Sequence, residues 1–256
     1  MLLTLIVALG LIAWEAARDS GKTAMGSIVG DAETVHPSMV LPPVPKTSTD
    51  MRTYVSETMA LSDPDEMKER AKRIARSHPQ TAREIMKRAK QIIEQEGDLC
   101  DSPFPGVSDY KWTKFVRLVA TGKPRISNTN HVGVFMFAYP RLVELDAAAN
   151  LRKDDKGRYL ADMTLKPEMT AEQFAKNPIA QYKVFEASMQ QYNSRLNPFR
   201  KYIGREAEGK RITWSGMLGI AHRAGINALT SWLENPDERV RFPNTTATFV
   251  KTTEVF

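Results

Sequence analysis

Apolar side chains recur at three- and four-residue spacing in several segments of the chain, and this period predicts amphipathic helices. Residues 79–95 carry the clearest stripe. Pro178 is predicted to open a second, long helix, whose apolar face includes Ile179, Phe185 and Met189 and which Asn197-Pro198 divides from the residues that follow. Residues 152–157 form a polar turn that is compatible with one short β-hairpin. The pattern therefore predicts a mainly α-helical protein with one small β element.

Local start signals place several helix boundaries. Asp63 stands before a proline and two acids, which is typical of a helix start. Thr170 is predicted to cap a helix over residues 171–176, and Ser108 or Asp109 to cap one that reaches about residue 120. Residues 132–149 are predicted to form an apolar helix that Pro140 kinks or restarts.

The segment TWSGMLGIAHRAGINALTSW, residues 213–232, combines helical apolar stripes with glycines. Thr213 or Ser215 is suited to cap its first helix, and Gly225 to end it. A glycine inside a helix costs roughly 1 kcal/mol relative to alanine, so Gly216 and Gly219 indicate close backbone packing. The segment is therefore predicted to be two helices with a tight joint, buried against other helices.

The N-terminus is apolar. The uncharged run MLLTLIVALGLIAW extends from Met1 to Trp14, whereas a bilayer core requires about 20 residues. It lacks a positively charged start and a small-residue cleavage site, so it makes a poor secretory signal. Residues 1–17 are predicted to be a hydrophobic anchor helix. Its partner is left open between lipid and other chains of a large assembly, in which the protein would be oligomeric.

The remaining chain divides by composition. Residues 18–62 are rich in proline and glycine and are predicted to form an extended linker. Residues 63–96 are predicted to be a charged helical hairpin, residues 97–108 a turn-rich joint, and residues 109–256 a globular helical domain. Aromatic residues are absent from the charged hairpin, which disfavours nucleic-acid binding.

Charge and cysteine usage narrow the chemistry. The chain has 256 residues and a net charge of +6, which permits attraction to anionic glycans, membranes or nucleic acid without choosing among them. The single Cys100 excludes an intramolecular disulfide, and the four histidines lack metal-ligand spacing. No cofactor and no metal are therefore expected.

Three motifs and the chain end occur in an order that resembles a known family. The run S-G-x-L-x-x-A-H-x-x-G over residues 215–225 resembles the C-terminal helical hairpin of lysozyme-like, peptidoglycan-directed domains of phages and prophages. GVFMF, residues 133–137, resembles the G-[LR]-[FMY]-Q-like run of lytic transglycosylases, and FAKNPIAQ, residues 174–181, resembles their F-L-x-N-P-x-x-Q element. RFPNTTATFVKTTEVF, residues 241–256, resembles tails of α-proteobacterial prophage members. The resemblance covers about residues 109–256 and implies a lysozyme-like fold.

The residue that such an enzyme needs most is missing. The resemblance places a general-acid glutamate a dozen to twenty residues before the GVFMF run, in order to protonate the glycosidic oxygen. No Asp or Glu occurs between Asp109 and Glu144. If the protein is active, its general acid has to come from outside this stretch. Asp101 and Asp109 are then the catalytic candidates, and Glu96 is a further one. The sequence therefore favours a domain without glycosidase activity.

The other candidate site residues follow from the same resemblance. A cationic set, Lys111, Lys114, Arg117 and Lys123, would line the former cleft and bind glycan. His222 is expected to be a core histidine that bonds to a backbone carbonyl across the joint of the two helices. The structural motif residues are Gly133, Phe135, Ser215, Gly216, His222 and Gly225.

Three functions stay open at this point. The first is a structural or envelope-contacting component of a phage or phage-derived particle, with an inactive domain that binds peptidoglycan or scaffolds its neighbours. The second is an active peptidoglycan hydrolase or lytic transglycosylase, carried by a virion or anchored to a membrane. The third is a membrane-anchored bacterial protein that binds the wall in the periplasm. The expected location is accordingly the virion or the host cell envelope.

Overall fold

The computed structural model describes residues 41–45, 47–120, 131–149, 153, 164–165, 168–235 and 243–256. This part of the chain is mainly helical, as the sequence pattern predicts, and its strands are short antiparallel pairs. The predicted anchor helix over residues 1–17 lies outside the described residues. None of the helices within the described ranges is long and apolar enough to cross a membrane.

The chain divides into two compact units. The N-terminal unit comprises the described residues of Ser27–Asp101 together with Ser108–Tyr110, and the C-terminal unit contains those of Ser102–Val107 and Lys111–Phe256.

The N-terminal unit contains three helices: α1 Ser48–Met59, α2 Pro64–Ile74 and α3 Pro79–Glu96. The Asp63 side chain accepts hydrogen bonds from two backbone N–H groups of the first turn of α2, which is the predicted cap. The core of the unit is apolar and draws on all three helices: Met51, Tyr54, Met67, Ala71, Ile74, Ala82, Ile85 and Ala89.

Helix α1 corrects the sequence analysis, which placed residues 48–59 inside an extended linker. Thr47 accepts a hydrogen bond from the backbone N–H of Asp50 and so caps the helix. Met51 and Tyr54 are buried, and the Tyr54 hydroxyl donates to the carbonyl of Arg70. The apolar stripe of α1 is short and lies among Ser and Thr, which is why its period was missed. Packing on α2 and α3 supplies the stability that propensity does not.

The C-terminal unit is built from short strands and longer helices. Its helices are α4 Asp109–Val119 (of which Lys111 onward belongs to this unit), α5 Tyr139–Glu144, α6 Ala171–Ala175, α7 Pro178–Arg195, α8 Trp214–Ala224, α9 Ile226–Glu234 and α10 Pro243–Thr252. A 3-10 helix, Asn197–Tyr202, follows α7. Three antiparallel pairs join β1 His131–Val132 to β2 Phe137–Ala138, β3 Ala148–Ala149 to β4 Thr164–Leu165, and β5 Glu206–Ala207 to β6 Lys210–Arg211.

The apolar helix predicted over residues 132–149 is present only as α5, Tyr139–Glu144. Strands β1 and β2 form a hairpin before it, and β3 follows it, so both ends of the prediction are wrong. Gly133 and Met136 both have positive φ, +80° and +54°, which a right-handed helix cannot contain. The β element predicted at residues 152–157 lies mostly outside the described residues, with β3 and β4 on either side of it.

The glycines of α8 allow the predicted close approach, and the partner is α10. A Cβ at Gly219 would lie 2.4 Å from Thr252 Oγ1 and 3.0 Å from its Cβ, and one at Gly216 would lie 3.0 Å from the Phe249 ring. Thr213 caps α8 by accepting from the Gly216 N–H, and Gly225, at φ +86°, ends it. Both predicted boundaries of this helix are confirmed.

Gly219→Ala should therefore destabilise the C-terminal unit more than Gly216→Ala does. Three atoms of Thr252 surround the Gly219 position, and rotation of that side chain leaves its Cβ 3.0 Å from the new methyl group, so the close contact persists. Overpacking of this kind costs about 1–3 kcal/mol. Urea denaturation followed by tryptophan fluorescence would measure the loss, and equal stability of Gly219→Ala and the unmodified protein would refute the close approach.

Candidate functional site

The three sequence motifs converge on one turn of the C-terminal unit. The turn comprises residues 133–136, between β1 and β2, and is called the Gly133 turn below. Gln181, from the second motif, and His222, from the third, each hydrogen-bond to its backbone. Segments that are 47 and 87 residues apart in sequence are thereby joined to the turn.

Gln181 joins the Gly133 turn to the start of α7. Its Oε1 accepts the Val134 N–H at 2.6 Å, and its Nε2 donates to the carbonyls of Phe174 and Ala175, each at 3.0 Å. The side chain is buried, so every one of these bonds is made away from water. A Cβ on Gly133 would lie 2.2 Å from Gln181 Oε1, so only glycine leaves room for this amide.

His222 holds the turn from α8. Its Nε2 lies 2.8 Å from the carbonyl oxygen of Phe135, and because a carbonyl only accepts, Nε2 carries the proton. The imidazole meets the rings of Phe137 and Phe185 edge-on, at 5.6 and 5.1 Å between centroids. The residue is half-buried, but this aromatic packing removes water from most of the ring.

The protonation state of His222 follows from that environment. Burial lowers the pKa of His222 to about 4, and the charge of Arg141 adds to the effect, while the bond to Phe135 opposes it. The imidazole is therefore neutral at pH 7 and serves as a hydrogen-bond donor to the turn. The predicted bond from His222 to a backbone carbonyl is present, but the prediction of a carbonyl across the joint is wrong, because the acceptor is Phe135 in the Gly133 turn.

Glu144 is the first carboxylate after the turn in sequence, and two arginines hold it. Its oxygens lie 2.8 Å from Arg141 Nη1 and 2.5 Å from Arg195 Nη1. Partial burial raises the pKa of Glu144, but hydrogen bonding and charge from Arg141, with the charge of Arg195, outweigh it, so the pKa lies below its ordinary value. A carboxyl that stays ionised in this way is unsuited to act as a general acid.

Arg141 has a packing role beyond this ion pair. Its guanidinium donates to Ser188 Oγ at 2.9 Å and to Gln191, and it lies 4.2 Å from the centre of the Tyr192 ring. These contacts join α5 to α7 beside the Gly133 turn.

The structure describes three of the four predicted glycan-binding cations. Lys111, Lys114 and Arg117 recur at every third residue of α4, where Lys114 is exposed and Lys111 and Arg117 are half-buried beside the buried Trp112 and Phe115. Lys123 lies outside the described residues. The cations therefore share a helix face.

The candidate acids belong to the N-terminal unit. Asp101 and Asp109 are both exposed, whereas the Gly133 turn is part of the C-terminal unit. Asp109 is the first residue of α4. Within the described residues, no group of three or more His, Cys, Asp or Glu could hold a metal ion.

Ser215 has a structural position in the C-terminal unit. Its hydroxyl donates to the Thr252 carbonyl at 2.6 Å and accepts from the Phe256 N–H. These two hydrogen bonds hold the segment after α10 against the start of α8. The close contact of Gly216 with Phe249 lies at the same place.

Sequence reasoning missed Gln181 as the residue that organises the site. The signal was present, because Gln181 ends the FAKNPIAQ run and lies three residues after Pro178, the proline that begins α7. A glutamine on a buried helix face requires several hydrogen-bond partners, and Gly133 supplies the space for them.

Comparison of the chain with protein-family models, with curated proteins and with solved structures finds no match. The arrangement around the Gly133 turn therefore carries the functional argument by itself.

Proposed function

We propose that residues 109–256 form a lysozyme-like, peptidoglycan-directed domain that has no glycosidase chemistry. The observation that supports this proposal is the Gly133 turn in the first of the three segments that resemble phage peptidoglycan-directed domains, to which the second and third segments each hydrogen-bond. Motifs that were matched only by order along the chain are thus also neighbours in space. The pieces act as one structural unit, as a shared fold requires.

The lack of a usable acid supports the non-catalytic part of the proposal. Glycosidases of this type need a carboxyl group that is protonated near neutral pH and lies at the scissile bond. The sequence has no acid between Asp109 and Glu144, and Glu144 is held ionised by Arg141 and Arg195. A domain without such an acid is left with binding or scaffolding as its role.

The proposal places the protein in a phage or phage-derived particle, or at the host cell envelope. Residues 1–17, with their uncharged start, would anchor the chain to lipid or to neighbouring chains of an assembly. The domain would then bind peptidoglycan or scaffold neighbouring subunits. An anchored protein of this kind acts through contact and needs no turnover.

Incubation of the full chain with purified sacculi tests this proposal. We expect cosedimentation of the protein with sacculi and no release of soluble muropeptides. Sedimentation without sacculi, and with cellulose, controls for self-association through the apolar N-terminus. Protein that stays in solution in the presence of sacculi would overturn the peptidoglycan-directed role.

Released muropeptides would overturn the non-catalytic part. In that case Asp101→Asn and Asp109→Asn, made separately, would identify the acid, because replacing the general acid should lower the rate by about 100-fold or more. A matched Asp98→Asn variant changes an exposed acid of the same segment and should leave the rate unchanged.

A further inference from the structure

A basic surface follows α7, in a part of the chain that none of the sequence motifs covers. Residues 195–211 carry six cations and two acids. The cations are Arg195, Arg200, Lys201, Arg205, Lys210 and Arg211, and the acids are Glu206 and Glu208. The segment comprises the end of α7, the 3-10 helix and the β5–β6 hairpin.

Ion pairs account for two of these cations. Arg195 pairs with Glu144, and Lys210 pairs with Glu254. Within the described residues, Arg200, Lys201 and Arg205 make no ion pair. Lys201 and Arg205 are exposed, so their charge is available to a ligand, whereas Arg200 is half-buried and also donates to Asn197 Oδ1 at 3.1 Å.

Aromatic rings hold these three cations in place. The Arg200 guanidinium lies 4.5 Å from the centre of the Trp214 ring, and Lys201 and Arg205 lie 5.2 and 5.0 Å from that of Tyr202. The Trp214 indole donates to Asn193 Oδ1 at 3.0 Å and is itself buried, so its ring is fixed. We call Arg200, Lys201, Tyr202, Arg205 and Trp214 the cation–aromatic surface.

We propose that the cation–aromatic surface binds the stem-peptide carboxylates of peptidoglycan. The inference rests on the proposed function and names the residues that would perform it. Arginine guanidinium groups present paired donors that match a carboxylate, and rings that restrain them reduce the entropy lost on binding. Stem peptides carry several carboxylates along each strand, so a surface with three restrained cations matches them in charge and in multiplicity.

The geometry favours carboxylates over single-stranded nucleic acid. Nucleic-acid surfaces of that kind stack bases on open aromatic faces. Here the Tyr202 ring is approached by Lys201 and Arg205, and the Trp214 ring is buried and approached by Arg200. The cationic groups, and not the rings, are what the surface offers to a ligand.

Charge reversal on the full chain tests the inference. The variant Lys201→Glu/Arg205→Glu should bind sacculi, stripped of attached phosphate polymers, about tenfold more weakly, since exposed ion pairs contribute modestly and the reversal adds repulsion. The matched control Arg83→Glu/Lys87→Glu makes the same change of net charge on exposed positions of α3 and should bind as the unmodified protein does. Thermal unfolding checks that each variant is folded, and Lys201→Gln/Arg205→Gln replaces the reversal if it is not.

A second arm changes the ligand instead of the protein. Amidation of the sacculus carboxylates with carbodiimide and ammonia should weaken binding of the unmodified protein by a similar factor and leave the Lys201→Glu/Arg205→Glu variant little changed. Equal losses for the two reversal variants, or binding that is indifferent to amidation, would overturn the inference while the proposed function stands. Duplex DNA that displaces sacculi from this surface would reassign it to nucleic acid. Absence of any sacculus binding would refute the proposed function itself.

Discussion

Gly133→Ala should destabilise the C-terminal unit by about 3 kcal/mol, because two costs add at this position. An L-residue at φ +80° is strained by about 1–2 kcal/mol. The new Cβ would also lie 2.2 Å from Gln181 Oε1, and displacing that amide leaves buried groups unpaired at about 1–3 kcal/mol. The midpoint temperature of thermal unfolding should fall by roughly 10 °C for a unit of this size.

The two costs can be separated by matched variants in the same unit. Gly204 has φ +84° and nothing within 4 Å of its Cβ position, so Gly204→Ala reports the backbone strain alone, about 1 kcal/mol. In a Gln181→Ala background the clash is absent, and Gly133→Ala should then cost little more than Gly204→Ala does. Additive effects of Gly133→Ala and Gln181→Ala would show that the amide does not fill the space above Gly133.

Local signals were sufficient where a helix boundary depends on one or two side chains. Thr170 and Gln173 form a capping box at α6, Asn177 caps α7 ahead of Pro178, and Thr213 and Gly225 bound α8. These boundaries follow from orphan backbone groups that a nearby side chain satisfies or that glycine tolerates. They are therefore readable in the sequence without knowledge of the fold.

The hairpin at the Gly133 turn could not be read in the same way. Its strands have two residues each, too few to show an alternating period. Met136 takes a positive φ without being glycine, which its residue type does not predict. Tertiary contacts from Gln181 and His222 stabilise this backbone conformation. They outweigh the helical preference of the apolar run, and they come from residues far away in the sequence.

The sequence predicted which residues belong to the site better than it predicted which atoms they contact. His222 was expected to bond to a carbonyl, but which carbonyl depends on a contact that spans 87 residues. The sequence gives Arg141 only as a positive charge, whereas in the structure it packs on Tyr192 and bonds to Ser188. Long-range partners of this kind are set by the fold and leave no trace in local spacing.

Stability of the C-terminal unit should fall as the pH drops from about 6.5 toward 4, and His222 should cause a large part of the fall. The pKa of His222 is about 4 in the folded protein, against about 6.5 in an unfolded chain. Between these values the unfolded state binds the proton and the folded state does not, so folding becomes less favourable as the pH decreases. Each pH unit costs about 1.4 kcal/mol, or roughly 3 kcal/mol over the window. Above pH 6.5 this contribution to stability is complete.

His222→Gln isolates the effect of His222 from that of the carboxylates that also titrate in this range. Glutamine Nε2 is placed to donate to the Phe135 carbonyl as the imidazole Nε2 does, but glutamine has no proton to gain. Urea denaturation from pH 7.5 to 4 should therefore give a shallower pH dependence for His222→Gln by about 3 kcal/mol, since the linkage term is absent. His78→Gln, at an exposed position, should keep the slope of the unmodified protein. Parallel curves for the unmodified protein and His222→Gln would mean that the imidazole is hydrated. The packing of Phe137 and Phe185 around the imidazole would then be looser than their edge-on contacts require.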